Sequence, residues 1–149
     1  MYIRPATRSD IEVIAQFQVL MAKETEDLEL CPDTVLRGVA ALFDSPSKGE
    51  YLIAELDDEV IGCLMLLPEW SDWRCGTVLW IHSVYVHPKA RRKGVYRSLY
   101  AQVRERVEAS AELRGIRLYV DERNKSAQKT YESLGMNGDH YKLYEWLKG

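Results

Sequence analysis

Thr77-Val-Leu-Trp-Ile-His-Ser-Val-Tyr-Val86 is β-branched and aromatic along its length and apolar on both parities. A strand with one wet face alternates apolar and polar residues, whereas a strand apolar on both parities is covered on both sides. The run therefore reads as the middle strand of a sheet with helices on either face. Downstream, a basic turn ending at Gly94 leads into an amphipathic helix over about residues 92–109. A strand over 116–120 and a helix over 124–134 follow, with Gly135 as its left-handed stop. Residues 140–147 read as a last strand.

Upstream, residues 2–5 form a short first strand. Ser9-Asp10-Ile11-Glu12 has the pattern of a capping box, and Ile11, Ile14, Ala15, Gln18 and Met21 then recur at helical spacing. Pro32-Asp33-Thr34 opens a second helix with Val35, Leu36, Val39, Ala40 and Phe43 on one side, and Pro46 stops it. Strands over 51–54 and 60–67 flank the acidic turn Asp57-Asp58-Glu59 as a hairpin, and residues 68–76 read as a loop. The order is β-α-α-β-β-β-α-β-α-β without linker or repeat. It implies one α/β (α+β) domain over 1–149, a mixed sheet flanked by helices.

Composition agrees with a globular domain: 46% hydrophobic, 29% charged and 10% aromatic residues. Twenty Lys and Arg against 23 Asp and Glu give a net charge of −3, which argues against a general nucleic-acid binder. Cys31, Cys63 and Cys75 are odd in number and lack metal-ligand spacing, so reduced thiols in a cytoplasmic protein and no metal are expected. The N-terminal segment is charged, so no signal peptide is expected. The apolar run 61–67 is too short to span a bilayer, and no membrane partner is expected.

Two segments carry chemistry. In the first, a strand runs through a basic turn and one glycine into a helix, and five of the nine residues from Lys89 to Arg97 are cationic. A helix N-terminus offers unpaired N–H donors and a partial positive charge, and Gly94 lets an anion approach the backbone. The segment reads equally as a phosphate site or as a solvated basic helix start. The second is Asn124-Lys-Ser-Ala127-Gln-Lys-Thr-Tyr131-Glu-Ser-Leu-Gly135, which fills a whole helix after a strand.

Together the two segments resemble the GNAT superfamily of N-acyltransferases, over nearly the whole chain. Arg91 and Gly94 match its Arg/Gln-x-x-Gly-x-Gly/Ala phosphate loop, and the second segment matches its Asn-x-x-Ala-x-x-x-Tyr-x-x-x-Gly pattern. Tyr96 departs from the Gly or Ala usual there. The resemblance implies a GNAT-like, largely antiparallel mixed sheet and acetyl-CoA as co-substrate. It implies that the backbone of Val84, Tyr85 and Val86 pairs with the pantetheine arm, as in β-augmentation. The turn Arg91, Arg92, Lys93, Gly94, Val95, Tyr96 and Arg97 would hold the pyrophosphate. Asn124, Ala127 and Lys129 would line the arm and the nucleotide phosphate, although a solvated lysine is the plainer reading of Lys129. Tyr131 would protonate the leaving thiolate, and a backbone N–H near Val84 would hold the oxyanion.

The base is open. His82 precedes the pantetheine-pairing position by two residues and titrates in a suitable range; Glu69, Asp72 or water are rivals, and a satisfied core histidine is the plain reading. His87 and His140 read as structural. Glu24, Glu26, Asp27, Glu29 and Asp33 cluster between the first two helices, and Glu69-Trp-Ser-Asp72-Trp73 sets carboxylates beside indoles, a combination that attracts ammonium groups. With a loose similarity to spermidine/spermine-type members, this points to a small cationic amine as acceptor, bound by Glu24, Glu26, Asp27, Glu69, Asp72 and Trp73. A solvated acidic face is the alternative reading of the same residues. A protein lysine or N-terminal acceptor, a non-catalytic acyl-CoA sensor and a homodimer stay open.

Overall fold

The β-rich centre of the chain forms one five-stranded sheet because each strand finds its partner next in sequence. The computed structural model describes residues 1–149. Its contacts fall into two compact units, 1–117 and 118–149. In the first unit β1 (Tyr2–Pro5), β2 (Glu50–Leu56), β3 (Glu59–Ser71), β4 (Gly76–Val86) and β5 (Leu113–Arg117) lie in the order β1-β2-β3-β4-β5. The first three pairings are antiparallel and β4 with β5 is parallel. The apolar run over 77–86 is thus an interior strand, as its two apolar parities require. Asp57 and Asp58, at φ 52° and 61°, make the two-residue turn between β2 and β3, the left-handed pair that matches the twist of a hairpin.

Residues directly opposite on neighbouring strands share a face of the sheet. Tyr51, Ile53, Cys63 and Tyr85 share one face and pack with Ile14, Ala15 and Phe17 of α1 (Ile11–Glu26) and Val39 of α2 (Pro32–Asp44). Phe43 of α2 stacks on Tyr51 at 6.4 Å. The opposite face presents Leu52, Leu64 and Leu66, all essentially buried, and α3 (Val95–Ala109) turns Val95, Leu99 and Val103 inward. Burying each such side chain contributes about 1.5–3 kcal/mol, so this apolar stripe, more than helix propensity, holds α3 in place.

Four boundaries differ from the sequence reading. The cap before α1 is built by Thr7 and Asp10, not Ser9 and Glu12: the Thr7 N–H donates to the Asp10 carboxylate at 2.7 Å. Arg4 also donates to Asp10, at 2.8 and 2.9 Å, and to Glu55 at 2.8 Å. Asp10 wins because it is the carboxylate that Arg4, on the same face of the sheet, can reach. Residues 68–71 continue β3 rather than loop, since Pro68 to Ser71 pair with β4 and only Asp72 to Cys75 turn. α3 begins at Val95, not at 92, because Arg92 and Gly94 are left-handed. β5 precedes the expected strand by three residues, its pairing starting at Leu113.

The second unit, 118–149, holds α4 (Lys125–Ser133), with Asn124 as N-cap and Gly135 left-handed at φ 87° after its end. The strand expected over 140–147 is not formed: these residues have no regular secondary structure, and Tyr141, Tyr144 and Trp146 are exposed. A strand is made by ladder pairing, and apolar composition alone does not supply it. The order is therefore β-α-α-β-β-β-α-β-α, with short 3-10 turns at Arg8–Asp10, Pro46–Lys48 and Pro88–Ala90. No helix is long and apolar enough to cross a membrane.

Candidate functional site

β4 is paired along β3 but only partly along β5. Its parallel register with β5 runs from Thr77 to Trp80, so residues 81–86 extend past the β5 ladder with one edge open in the sheet. Within that stretch Cys63 faces Tyr85 and Met65 faces His82; two steps on β3 match three on β4. The extra residue is a β-bulge at Ser83, whose φ of 53° is left-handed. Three residues apart, His82 and Tyr85 would otherwise face opposite sides; the bulge turns both toward the α1–α2 face and bends the strand. The His87 N–H donates to the Ile61 carbonyl at 2.8 Å, toward β3. Across the same trans peptide the Val86 carbonyl must point the other way, to the open edge.

His82 is half-buried, and its ring stacks near Trp80 at 6.0 Å with planes 16° apart. Burial holds its pKa below the ordinary 6.5, so at neutral pH the imidazole is uncharged and able to take a proton. Trp80 lies beside Arg117 across the β4–β5 register, and Arg117 donates to Glu69 at 2.9 Å. Trp80, Arg117 and the Ser83 bulge were missed from the sequence. Trp80 was legible, since two residues from His82 on a strand means the same face; a bulge and a cross-strand ion pair leave no local signal.

The basic turn ends β4 and opens α3. Pro88–Ala90 form a 3-10 turn, Arg92 has φ 62°, and Gly94 caps the helix at φ 76°. A Cβ at Gly94 would meet nothing within 4 Å, so the backbone there is open to a ligand. The first bond of the helix is Ser98 N–H to the Gly94 carbonyl at 3.0 Å, and the amides before it point along the axis out of the helix end, an arrangement that suits an anion. Two cations of the turn are held by carboxylates: Lys89 pairs with Glu59, and Arg91 with Glu24 at 2.8 Å.

The second unit carries the other expected residues. The Asn124 Oδ1 accepts from the Ala127 N–H at 3.1 Å and so caps α4. Ala127 and Tyr131 are half-buried on one stripe of that helix, as is Leu134 at its C-cap, while Lys129 is exposed. Burial raises the Tyr131 pKa above 10.0, so the phenol keeps its proton at neutral pH.

The acidic residues are less open than their number suggests. Glu24 pairs with Arg91, Lys23 pairs with both Asp27 and Glu29, and Glu69 pairs with Arg117. Asp72 accepts from the Trp73 N–H at 2.9 Å. Glu26 is exposed, and Trp73 is 89% exposed at the tip of the β3–β4 hairpin. Cys31, Cys63 and Cys75 are all unbridged.

Comparison with known proteins bears on this arrangement. The model of the acetyltransferase (GNAT) family matches residues 15–136. A solved structure described as "a possible acetyltransferase" from Clostridium difficile 630 is 41% identical, with a TM-score of 0.92, covering 99% of this chain and 97% of that one. A transcriptional regulator from Bacillus halodurans C-125 is 23% identical at a TM-score of 0.80, covering 98% and 99%. A ribosomal-protein-alanine N-acetyltransferase from Brucella melitensis biovar Abortus 2308 is 17% identical at a TM-score of 0.80, covering 99% of each chain. These last two share the fold. None of the curated proteins matches the chain.

Proposed function

The chain belongs to the GNAT family of acetyltransferases, and from that premise we propose that it moves the acetyl group of acetyl-CoA onto a small cationic amine. The observation that carries the reading is the β4–α3 corner: a strand edge open past β5, a left-handed Gly94 with clear space, and a helix N-terminus directly behind it. These fit the co-substrate in kind. The Val84–Val86 edge would pair with its pantetheine arm, and the turn from Arg91 through Gly94 and Val95 to Arg97 would hold its diphosphate. Asn124, Ala127 and Lys129 are proposed to border the arm and nucleotide.

In the proposed reaction His82, uncharged at neutral pH, takes the proton of the ammonium, directly or through water. The amine nitrogen attacks the thioester carbon, and a backbone N–H at the Ser83–Val84 bulge holds the oxyanion. The carbon–sulfur bond then breaks, and Tyr131 gives its proton to the departing thiolate. The surplus proton left on the amide nitrogen returns through water to the Tyr131 phenolate, while His82 gives its own proton to solvent. Acetylated amine and free CoA are the products.

Exposed Glu26, the Asp27 and Glu29 carboxylates near it, and Glu69, Asp72 and Trp73 support a cationic acceptor. Diamines should exceed monoamines of equal length in kcat/KM, and salt should raise KM for the amine. Replacing Glu26 and Asp27 together by Gln and Asn should erase much of that preference. The pairing of Asp27, Glu29 and Glu69 with internal cations favours a second reading, a peptide N-terminus or protein lysine. Equal rates with monoamines and no salt effect would select it. A cytoplasmic location, on the three unbridged cysteines, and a homodimer belong to the same proposal.

A further inference from the structure

Arg91 of the phosphate turn is tied both to the nearby end of β4 and to a carboxylate far away in sequence. Its Nε donates to the Val86 carbonyl at 2.9 Å, on the open edge of β4. Its Nη2 donates to both oxygens of Glu24, at 3.1 and 2.8 Å. Its guanidinium lies 5.6 Å from the centre of the Tyr85 ring, which itself packs on Phe17 of α1 at 4.8 Å. Glu24 sits in the last turn of α1, next to the irregular connection that leads to α2. One guanidinium therefore ties together the end of β4, the phosphate turn and the C-terminal end of α1.

We propose that Glu24 masks the outer nitrogen of Arg91 at the phosphate turn and is exchanged for phosphate when the cofactor's diphosphate arrives. This rests on the acetyl-CoA reading above. The guanidinium presents donors in a fixed fork, and a phosphate offers the same acceptor geometry as a carboxylate with more charge. Both side chains are two-fifths exposed, so the pair is of the weak kind that a stronger anion displaces. The Nε bond to Val86 is left intact by the exchange, so Arg91 keeps its place on β4 while its outer nitrogen changes partner. Glu24 is then released into the company of Glu26 and Asp27, and the last turn of α1 loses a tether. Cofactor binding and the state of the α1–α2 connection are thereby coupled, so acetyl-CoA and any amine held there change each other's affinity by the same factor.

The test is acetyl-CoA binding by calorimetry to the full chain and to Glu24→Gln, Arg91→Gln and the double variant, with amide hydrogen exchange on the unaltered protein. Removing the competing carboxylate should tighten acetyl-CoA roughly 2- to 5-fold, the worth of one exposed pair. In the Arg91→Gln background the same change should have no effect. Exchange at residues 22–26 should quicken when acetyl-CoA is added. Unchanged or weaker binding by Glu24→Gln overturns the inference and leaves the cofactor reading standing. So does equal tightening in both backgrounds, which is long-range charge alone, or slower exchange at 22–26. No binding by the unaltered protein overturns the cofactor reading and this inference with it.

Discussion

Replacing Gly94 by alanine separates two effects that a single site could confuse. Gly94 has φ 76°, where an L side chain costs about 1–2 kcal/mol. Because its Cβ would meet nothing within 4 Å, no steric clash adds to that strain. For a chain of this length the loss corresponds to a fall in Tm of about 2–8 °C. In the proposed site, however, the clear space is where a diphosphate would approach the helix amides, and a methyl group there would obstruct it. Acetyl-CoA affinity should fall at least about tenfold, 1.4 kcal/mol, and Gly94→Glu, which adds a negative charge, should remove the thermal shift with acetyl-CoA altogether. Gly38 is the control. It lies within α2 with nothing within 4 Å of its Cβ, so Gly38→Ala should gain about 0.5–1 kcal/mol and leave binding alone. Thermal unfolding with and without acetyl-CoA, followed by calorimetry, reads both quantities. Wild-type affinity in Gly94→Ala would refute the phosphate site, and a much larger loss of Tm would refute the claim that the turn is open.

Tyr131→Phe keeps the half-buried ring and removes only the hydroxyl; stability should barely change, and kcat should drop by about 10²-fold with KM for acetyl-CoA little affected. Near-normal kcat would exclude the phenol as acid. The rate should rise with pH through an apparent pKa below 6.5, the direction in which burial moves His82, and His82→Gln should lose that limb; an unchanged profile assigns the base elsewhere. The same depressed His82 contributes stability above pH 6.5 that is lost as pH falls toward its folded value, a loss that His82→Gln should not show in urea titrations. Asp10→Asn should cost about 2–3 kcal/mol at pH 7, because it deprives Arg4 of a 5%-exposed carboxylate partner. Arg4 holds the Asp10 carboxyl below its ordinary 3.8, so that difference should be full above about pH 4 and vanish as pH falls through the lowered value; a constant difference would count against the ion pair.

Much of this was legible because periodicity and turn chemistry are local. The covered strand over 77–86, the Asp57-Asp58 hairpin, the Pro32 start of α2 and the Gly135 stop all rest on a few neighbouring residues. The departures are decided by partners distant in sequence. The α1 cap belongs to Asp10 because Arg4 reaches it from β1; residues 68–71 are strand because β4 pairs with them; residues 140–147 have strand-like composition and no ladder. The site divides the same way. Gly94, Tyr131 and His82 could be named from motif and chemistry, and Trp80 was legible by strand parity with His82, whereas the β4 bulge and the Glu24–Arg91 pair arise only when strands and helices meet. The acidic segment shows the limit most plainly, since charge can be counted along the chain but the internal cations that answer it cannot.

Acetyl transfer from thioester to nitrogen is measured most directly by product balance. The protein would be incubated with acetyl-CoA and a diamine, free thiol followed by a chromogenic disulfide, and the amine product identified by mass spectrometry. One acetylated amine is expected for each thiol released, with both reduced together in Tyr131→Phe. Thiol release without acetylated amine, or acetyl-CoA binding with neither product across diamine, monoamine and peptide acceptors, would contradict it.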